Sequence, residues 1–146
     1  MYKKTHIGSY GIIIKDGKIV LIKKAKGAYA DKLDLPGGTI EHDETPDMAV
    51  KREILEEVGV KATSVHLFDA ISCNLTWYCD KKQEDEALHH IGIIYDVKVD
   101  NYSLKKDKDG HDSLGAAWYN IDKLTENMVS PLTWQCLLKI KGDIND

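Results

Sequence analysis

Between Gly38 and Val60 the chain reads GTIEHDETPDMAVKREILEEVGV. Arg52, Glu53, Glu56 and Glu57 crowd about a turn and a half of a helix-like stretch that stops at Gly59. The glutamates are spaced i, i+3, i+4, which puts them on one face of a helix, where they converge. Carboxylates in a last turn oppose the helix dipole, at roughly 0.3–1 kcal/mol each. Arg52 and Glu56 stand with the cation on the N-terminal side, the weaker orientation for an i,i+4 pair. A solvated acidic face is the plain reading of such a run. A divalent cation is the reading that removes the conflict, because clustered carboxylate oxygens suit Mg²⁺ or Mn²⁺. Magnesium binds through a few carboxylates and completes its shell with substrate phosphates. The residues therefore point to metal-dependent phosphate chemistry. Pro36-Gly37-Gly38 lies one short loop upstream, where paired glycines allow backbone to approach a ligand or simply form a tight turn.

These side chains need a frame. Thr45-Pro46 reads as an N-cap followed by the first helical residue. The helix runs to about Val58, with Gly59 suited to a left-handed C-terminal cap. Val50, Ile54 and Val58 form its buried stripe. IGSYGIIIKDGKIVLIKKA contains two β-rich runs around Asp16-Gly17, a strong hairpin signal. KGAYADKLDLPGG is a loop, Gly38 to Ile40 returns to strand, and VKATSVHLFDAISCNLTWYC is strand. DKKQEDEALHH reads as a charged turn or loop, IGIIYDVKV as a buried strand and DNYSLKKDKDGHDSLG as a polar loop. AAWYNI is a short strand, and SPLTWQCLLKI an amphipathic helix beginning at Ser130-Pro131. Mixed strands with two main helices predict an α/β sandwich.

The chain has 146 residues, which suits a single domain over 1–146. Its formal net charge of -4 argues against a sequence-independent grip on nucleic acid or on an anionic membrane. The cysteines, Cys73, Cys79 and Cys136, are odd in number and form no CxxC pair, so neither a disulfide framework nor a zinc site is expected. The first residues are too polar for a signal peptide, and no apolar run is long enough to span a bilayer. A cytoplasmic location is the expectation.

The stretch also resembles the Nudix box: G, five residues, E, seven residues, R-E, an aliphatic, any residue, E-E, any residue, G, an aliphatic. Here these are Gly38, Glu44, Arg52, Glu53, Ile54, Glu56, Glu57, Gly59 and Val60, with both spacings intact. The box covers 23 residues, and outside it LPGG, the first hairpin and AAWYNIDKL are similar in a softer way. The resemblance implies a Nudix-type α/β/α sandwich, with a mixed β-sheet and a loop–helix–loop box. It implies a Mg²⁺- or Mn²⁺-dependent hydrolase of a pyrophosphate bond in a nucleoside triphosphate, or in a nucleoside diphosphate linked to another moiety. Glu53, Glu56 and Glu57 would be metal ligands, helped by the carbonyl of Gly38 or of Gly37. Arg52 would hold the carboxylates, and Glu44 would be structural, as would Gly37 and Gly59.

By the same resemblance the general base is a box glutamate, Glu56 or Glu53, or a downstream acid. The downstream candidates are Glu84, Glu86, Asp107, Asp109 and Asp112. Many relatives carry a glutamate a few residues before the final tryptophan, but here Gly115 precedes Trp118 by three positions and Asp112 is the nearest acid. Tyr29 and Trp77, with Tyr78 and Trp118, are candidates to stack on a base, and also ordinary core residues. Lys24, Lys26 and Lys32 flank the LPGG loop and read first as surface charge. A small nucleotide is the expected partner, and a homodimer is one option. A catalytically silent nucleotide sensor and an RNA 5′-end pyrophosphohydrolase are alternatives. The intact ligand set weighs against the first and the acidic balance against the second.

Overall fold

The computed structural model describes residues 1–105 and 113–145. In chain order they form β1 (Tyr2–Ile12), β2 (Ile14–Lys15), β3 (Lys18–Lys24), β4 (Leu33–Asp34), β5 (Gly37–Thr39), α1 (Pro46–Val58), β6 (Ala62–Cys79), β7 (Glu84–Val99), β8 (Ser113–Asn120) and α2 (Pro131–Asn145). Asp16 and Gly17 both take positive φ, 53° and 76°, and turn the first hairpin.

One sheet has the order β5-β1-β7-β6. β1 runs parallel to β7, and the other pairings in that sheet are antiparallel. In the second sheet β3 pairs antiparallel with β2, β4 and β8. The apolar runs in β1 and β3 are nearly continuous because they are covered on both faces. Tyr10, Ile12, Ile19 and Leu21 pack with Leu132, Cys136, Leu137 and Ile140 of α2. Their neighbours Ile13 and Val20 pack on the other side with Val50, Ile54 and Val58 of α1. Strand alternation thus feeds two cores, one under each helix. The result is a mixed-sheet α/β/α sandwich. Each of Val50, Ile54 and Val58 is fully buried, worth about 1.5–3 kcal/mol apiece.

The segment Asp80–His90 corrects the expected loop. Only residues 80–83 turn, and Glu84 already begins β7. Charge disfavours strand locally, but pairing partners decide. The β-rich β6 imposes its register, matching Cys79 to Glu84 and Trp77 to Glu86. The two acids expected in a loop, Glu84 and Glu86, are therefore strand residues. Asp107, Asp109 and Asp112 lie outside the described residues. No helix among those residues is long and apolar enough to cross a membrane.

Candidate active site

Helix α1 is fixed at both ends by local chemistry. Thr45 Oγ1 accepts from the Met48 amide at 3.3 Å. Gly59 adopts a left-handed conformation (φ 79°) and donates its N–H to the Ile54 and Leu55 carbonyls. The last turn contains no basic residue. The missing cation arrives from elsewhere: Lys105 Nζ donates to the Glu56 carbonyl at 3.0 Å, and its backbone N–H donates to the Val58 carbonyl at 2.8 Å. The dipole conflict seen in the sequence is eased by a residue 49 positions downstream of Glu56.

Arg52 organises the acids. Its Nε donates to Glu44 Oε2 at 2.7 Å and its Nη2 to Glu44 Oε1 at 3.0 Å, a bidentate pair. Nη1 reaches Glu53 Oε1 at 3.0 Å and Glu56 Oε2 at 3.4 Å, while Nη2 also donates to the Thr39 carbonyl at 3.2 Å. Arg52, and then the Glu41 amide, hold the Glu44 carboxyl down at about 2. Glu44 thus ties the loop to the helix.

The three helix glutamates line one cleft, but they differ in exposure. Glu57 lies beside the stripe of Ile54 and Val58 and is turned inward, with its Oε1 accepting from the Gly37 amide at 2.8 Å. Gly37 sits at φ 148°, where a Cβ would collide with the Ser9 carbonyl. Only glycine can present that amide to Glu57. Glu53 is mostly covered and approaches Glu57 within hydrogen-bonding reach. Burial is the main force raising its carboxyl, assisted by the Glu56 charge and opposed by Arg52. Glu56 is open, with 57% of its side chain exposed. A Cβ on Gly38 would meet Glu53 Oε1 at 2.9 Å, so that backbone runs against the carboxylate.

Among the described residues, no three acidic, imidazole or thiol groups already stand gathered around a single point. The donors nonetheless fit a hard cation. Glu53 and Glu57 stand together with Arg52 on one side of Glu53 and the Gly37 amide on Glu57, and Glu56 stands open beside them, which leaves carboxylate oxygens facing the cleft. Magnesium needs only one or two protein carboxylates before phosphates and waters complete its shell.

These residues form one side of a cleft of about 770 Å³. Tyr10, Tyr29, Asp34 and His90 also line it, as do Lys4, Lys24, Lys26, Lys81, Lys82 and Trp77. Tyr10 and Tyr29 clamp His90, their hydroxyls 2.7 Å from Nε2 and 2.8 Å from Nδ1. Burial, and then the charges of His6 and Lys24, push the His90 imidazole down to about 4.

Of the remaining sequence candidates, Tyr29 and Trp77 line the cleft. The Tyr29 hydroxyl is engaged with His90, and Trp77 Nε1 donates to Glu86 at 3.1 Å. Glu86 lines the cleft as a buried strand residue, and Glu84 does not line it. Tyr78 is exposed away from the cleft, and Trp118 packs toward α1. Lys24 and Lys26 reach the cleft, whereas Lys32 donates instead to the Asn127 carbonyl. Sequence reasoning missed Lys4, His6, Tyr10, Asp34, Lys81 and Lys82 as cleft residues, and it left His90 at the end of a charged turn or loop. The available signal was strand alternation: Lys4, His6 and Tyr10 share one face of β1, and their β7 partners include Leu88 and His90.

The NUDIX domain family model matches residues 5–136. The chain is 32% identical over 124 residues to an ADP-ribose pyrophosphatase of Methanocaldococcus jannaschii, covering 85% of this chain and 67% of that protein. It is 38% identical over 71 residues to an 8-oxo-dGTP diphosphatase of Haemophilus influenzae and 40% identical over 70 residues to one of Escherichia coli. Each of these matches covers 47% of this chain, and they span 52% and 54% of those two proteins. Among solved structures, a MutT protein from Methanosarcina mazei Go1 superimposes with a TM-score of 0.70 at 19% identity, covering 100% of this chain and 99% of its own. A MutT NUDIX hydrolase from Burkholderia pseudomallei gives 0.64 at 24% identity, with 92% and 96% covered. At these identities the structures speak for the fold.

Proposed function

The chain belongs to the NUDIX family, and from that premise we propose that it hydrolyses the pyrophosphate bond of a small nucleotide with the help of Mg²⁺ or Mn²⁺. The observation that carries this reading is the single cleft that sets the Glu53, Glu56 and Glu57 wall of α1 in one space with several lysines. Carboxylates hold a metal and lysines hold phosphates, so an anionic diphosphate fits between them.

Glu53, Glu56 and Glu57 would hold the ion, with the Gly38 or Gly37 carbonyl beside them. When bound, it supplies charge neutralisation on the phosphates and a lower pKa for an attacking water. Arg52 keeps Glu53 and Glu56 aimed by its Nη1 bonds while anchored on Glu44. The Gly37 amide fixes Glu57. The proton of the attacking water passes to Glu56 or Glu53. Glu56 is the open one, and Glu53 lies mostly covered against the Gly38 backbone. Water forms one new phosphorus–oxygen bond as the bridging bond breaks, and both products leave as phosphates.

The relatives' names supply the substrate candidates, ADP-ribose and oxidised purine triphosphates. The test is product formation from a panel of nucleoside triphosphates, oxidised triphosphates, ADP-ribose, sugar nucleotides and dinucleoside polyphosphates, with Mg²⁺ and then with EDTA. Cleavage of one class that EDTA abolishes is the expected outcome. Cleavage that persists in EDTA overturns the metal assignment. Binding without cleavage of any member overturns the hydrolase reading in favour of a nucleotide sensor.

A further inference from the structure

Beyond the carboxylate wall, Lys4, Lys24, Lys26, Lys81 and Lys82 line the cleft alongside Asp34, Asp80 and Glu86, in a chain whose formal net charge is -4. Lys4 and His6 project from the same face of β1, and Lys24 ends β3. His6 is paired with His90 across the parallel β1–β7 register, and the two rings stack at 4.9 Å and 17°. Neither Lys4 nor Lys24 forms an ion pair among the described residues. Lys82, by contrast, is engaged, lying 3.0 Å from the Tyr2 ring centroid and 3.8 Å from Glu86. Thr39 joins this cluster to the box: its hydroxyl bonds His6 Nε2 at 2.9 Å, and its carbonyl accepts from Arg52 at 3.2 Å.

We infer that Lys4, Lys24 and His6 form an anion subsite beside the box, and that the substrate carries a third phosphate there. This deepens the hydrolase reading and rests on it. A metal at the glutamates would answer the two phosphates flanking the scissile bond, and Lys4 and Lys24, which line the same cleft, can meet a further one. An unphosphorylated terminal sugar would set neutral hydroxyls against the ammonium groups of Lys4 and Lys24, of which Lys24 also bears on the buried Asp34. A third phosphate matches them. The imidazoles agree on the sign of the local field. Burial lowers His6 first, then Lys4 and Lys24 do, and after burial His90 is lowered by His6 and Lys24. Every charge acting on either ring is a cation. The preferred class is therefore a nucleoside triphosphate or a nucleotide ending in a phosphorylated group, ahead of ADP-ribose.

The test has two arms. In the first, calorimetry in EDTA measures inorganic tripolyphosphate binding to the wild type, Lys4→Met, Lys24→Met and Lys18→Met. Lys18 is exposed on the first hairpin, outside the cleft, and controls for net charge. About tenfold weaker binding is expected in the first two variants, equivalent to about 1.4 kcal/mol, and no change in the third. In the second arm, with Mg²⁺, kcat/KM for a triphosphate is to fall about tenfold and that for ADP-ribose by a clearly smaller factor. Equal affinity in all four proteins, no measurable binding to the wild type, or a parallel loss on both substrates overturns the subsite. So does a wild-type preference for ADP-ribose. The first arm needs no turnover. Intact tripolyphosphate discrimination without hydrolysis of any compound therefore keeps the anion site and removes only the enzyme. Better turnover of a nucleotide ending in a phosphorylated sugar than of any triphosphate supports the subsite and assigns it to that phosphate.

Discussion

Acidification should loosen this protein through one residue at the floor of the cleft. His90 is 1% exposed, with Tyr10 and Tyr29 hydroxyls at its two ring nitrogens. A neutral imidazole has one donor and one acceptor nitrogen, so one tyrosine donates to it and the other accepts. Protonation makes both nitrogens donors, breaks that arrangement and adds a buried charge near Lys24 and His6. The folded-state value of about 4 lies below the ordinary 6.5. Between those values the unfolded chain binds the extra proton, so stability is full above about pH 6.5 and drains as pH falls toward 4. A drop of about 2.5 units corresponds to about 3 kcal/mol, a large part of the roughly 5–15 kcal/mol typical of a domain. At about 2–4 °C per kcal/mol, the melting temperature should fall by about 6–12 °C over that range. Thermal unfolding followed by circular dichroism at pH 7, 6, 5 and 4.5 reads it directly. His90→Gln keeps a donor and an acceptor but does not titrate, so its curve should be visibly flatter. Parallel curves for the two proteins would refute the reasoning, because the proton would then be taken up elsewhere.

Three further substitutions probe the box. Arg52→Lys keeps the charge but loses the bidentate hold on Glu44, and should cost about 10–100-fold in kcat or in Mg²⁺ affinity. Steady-state kinetics across a Mg²⁺ titration would show it, and unchanged curves would deny Arg52 its positioning role. Gly37→Ala forces a side chain into a φ of 148° against the Ser9 carbonyl, and should destabilise by at least about 1–3 kcal/mol in chemical denaturation. Lys105→Ala removes the only Nζ bond to the Glu56 carbonyl among the described residues. It should lower stability by about 0.3–1 kcal/mol, more at low salt than at high salt, in paired denaturation curves.

What could be read in advance was whatever local chemistry decides. The Pro46–Val58 helix follows from Thr45, Pro46 and Gly59, each acting within a turn of its own position. The Asp16-Gly17 hairpin and the α2 start at Pro131 are equally local. Glu84–His90 resisted because their strand is imposed by β6 across a hairpin, against their own charge. The inward turn of Glu57 depends on an amide 20 positions upstream, at Gly37, so helical spacing brought the three glutamates together without showing that Glu57 is buried. The box residues were legible as a spacing, whereas the cationic part of the cleft was not. His6 and His90 lie 84 positions apart and meet only through the parallel β1–β7 pairing. Lys105 is the same kind of case, a distant cation that completes a helix end its own sequence leaves bare.

The central claim is that the α1 glutamates hold the catalytic ion, and Glu56 tests it most directly because its exposed side chain carries little of the fold. Glu56→Gln removes one charge and almost no volume. With saturating Mg²⁺ and the best substrate of the panel, kcat should fall at least about 100-fold while the melting temperature stays within a degree or so of wild type. Undiminished turnover by a folded Glu56→Gln protein would contradict the account and move the chemistry away from this helix.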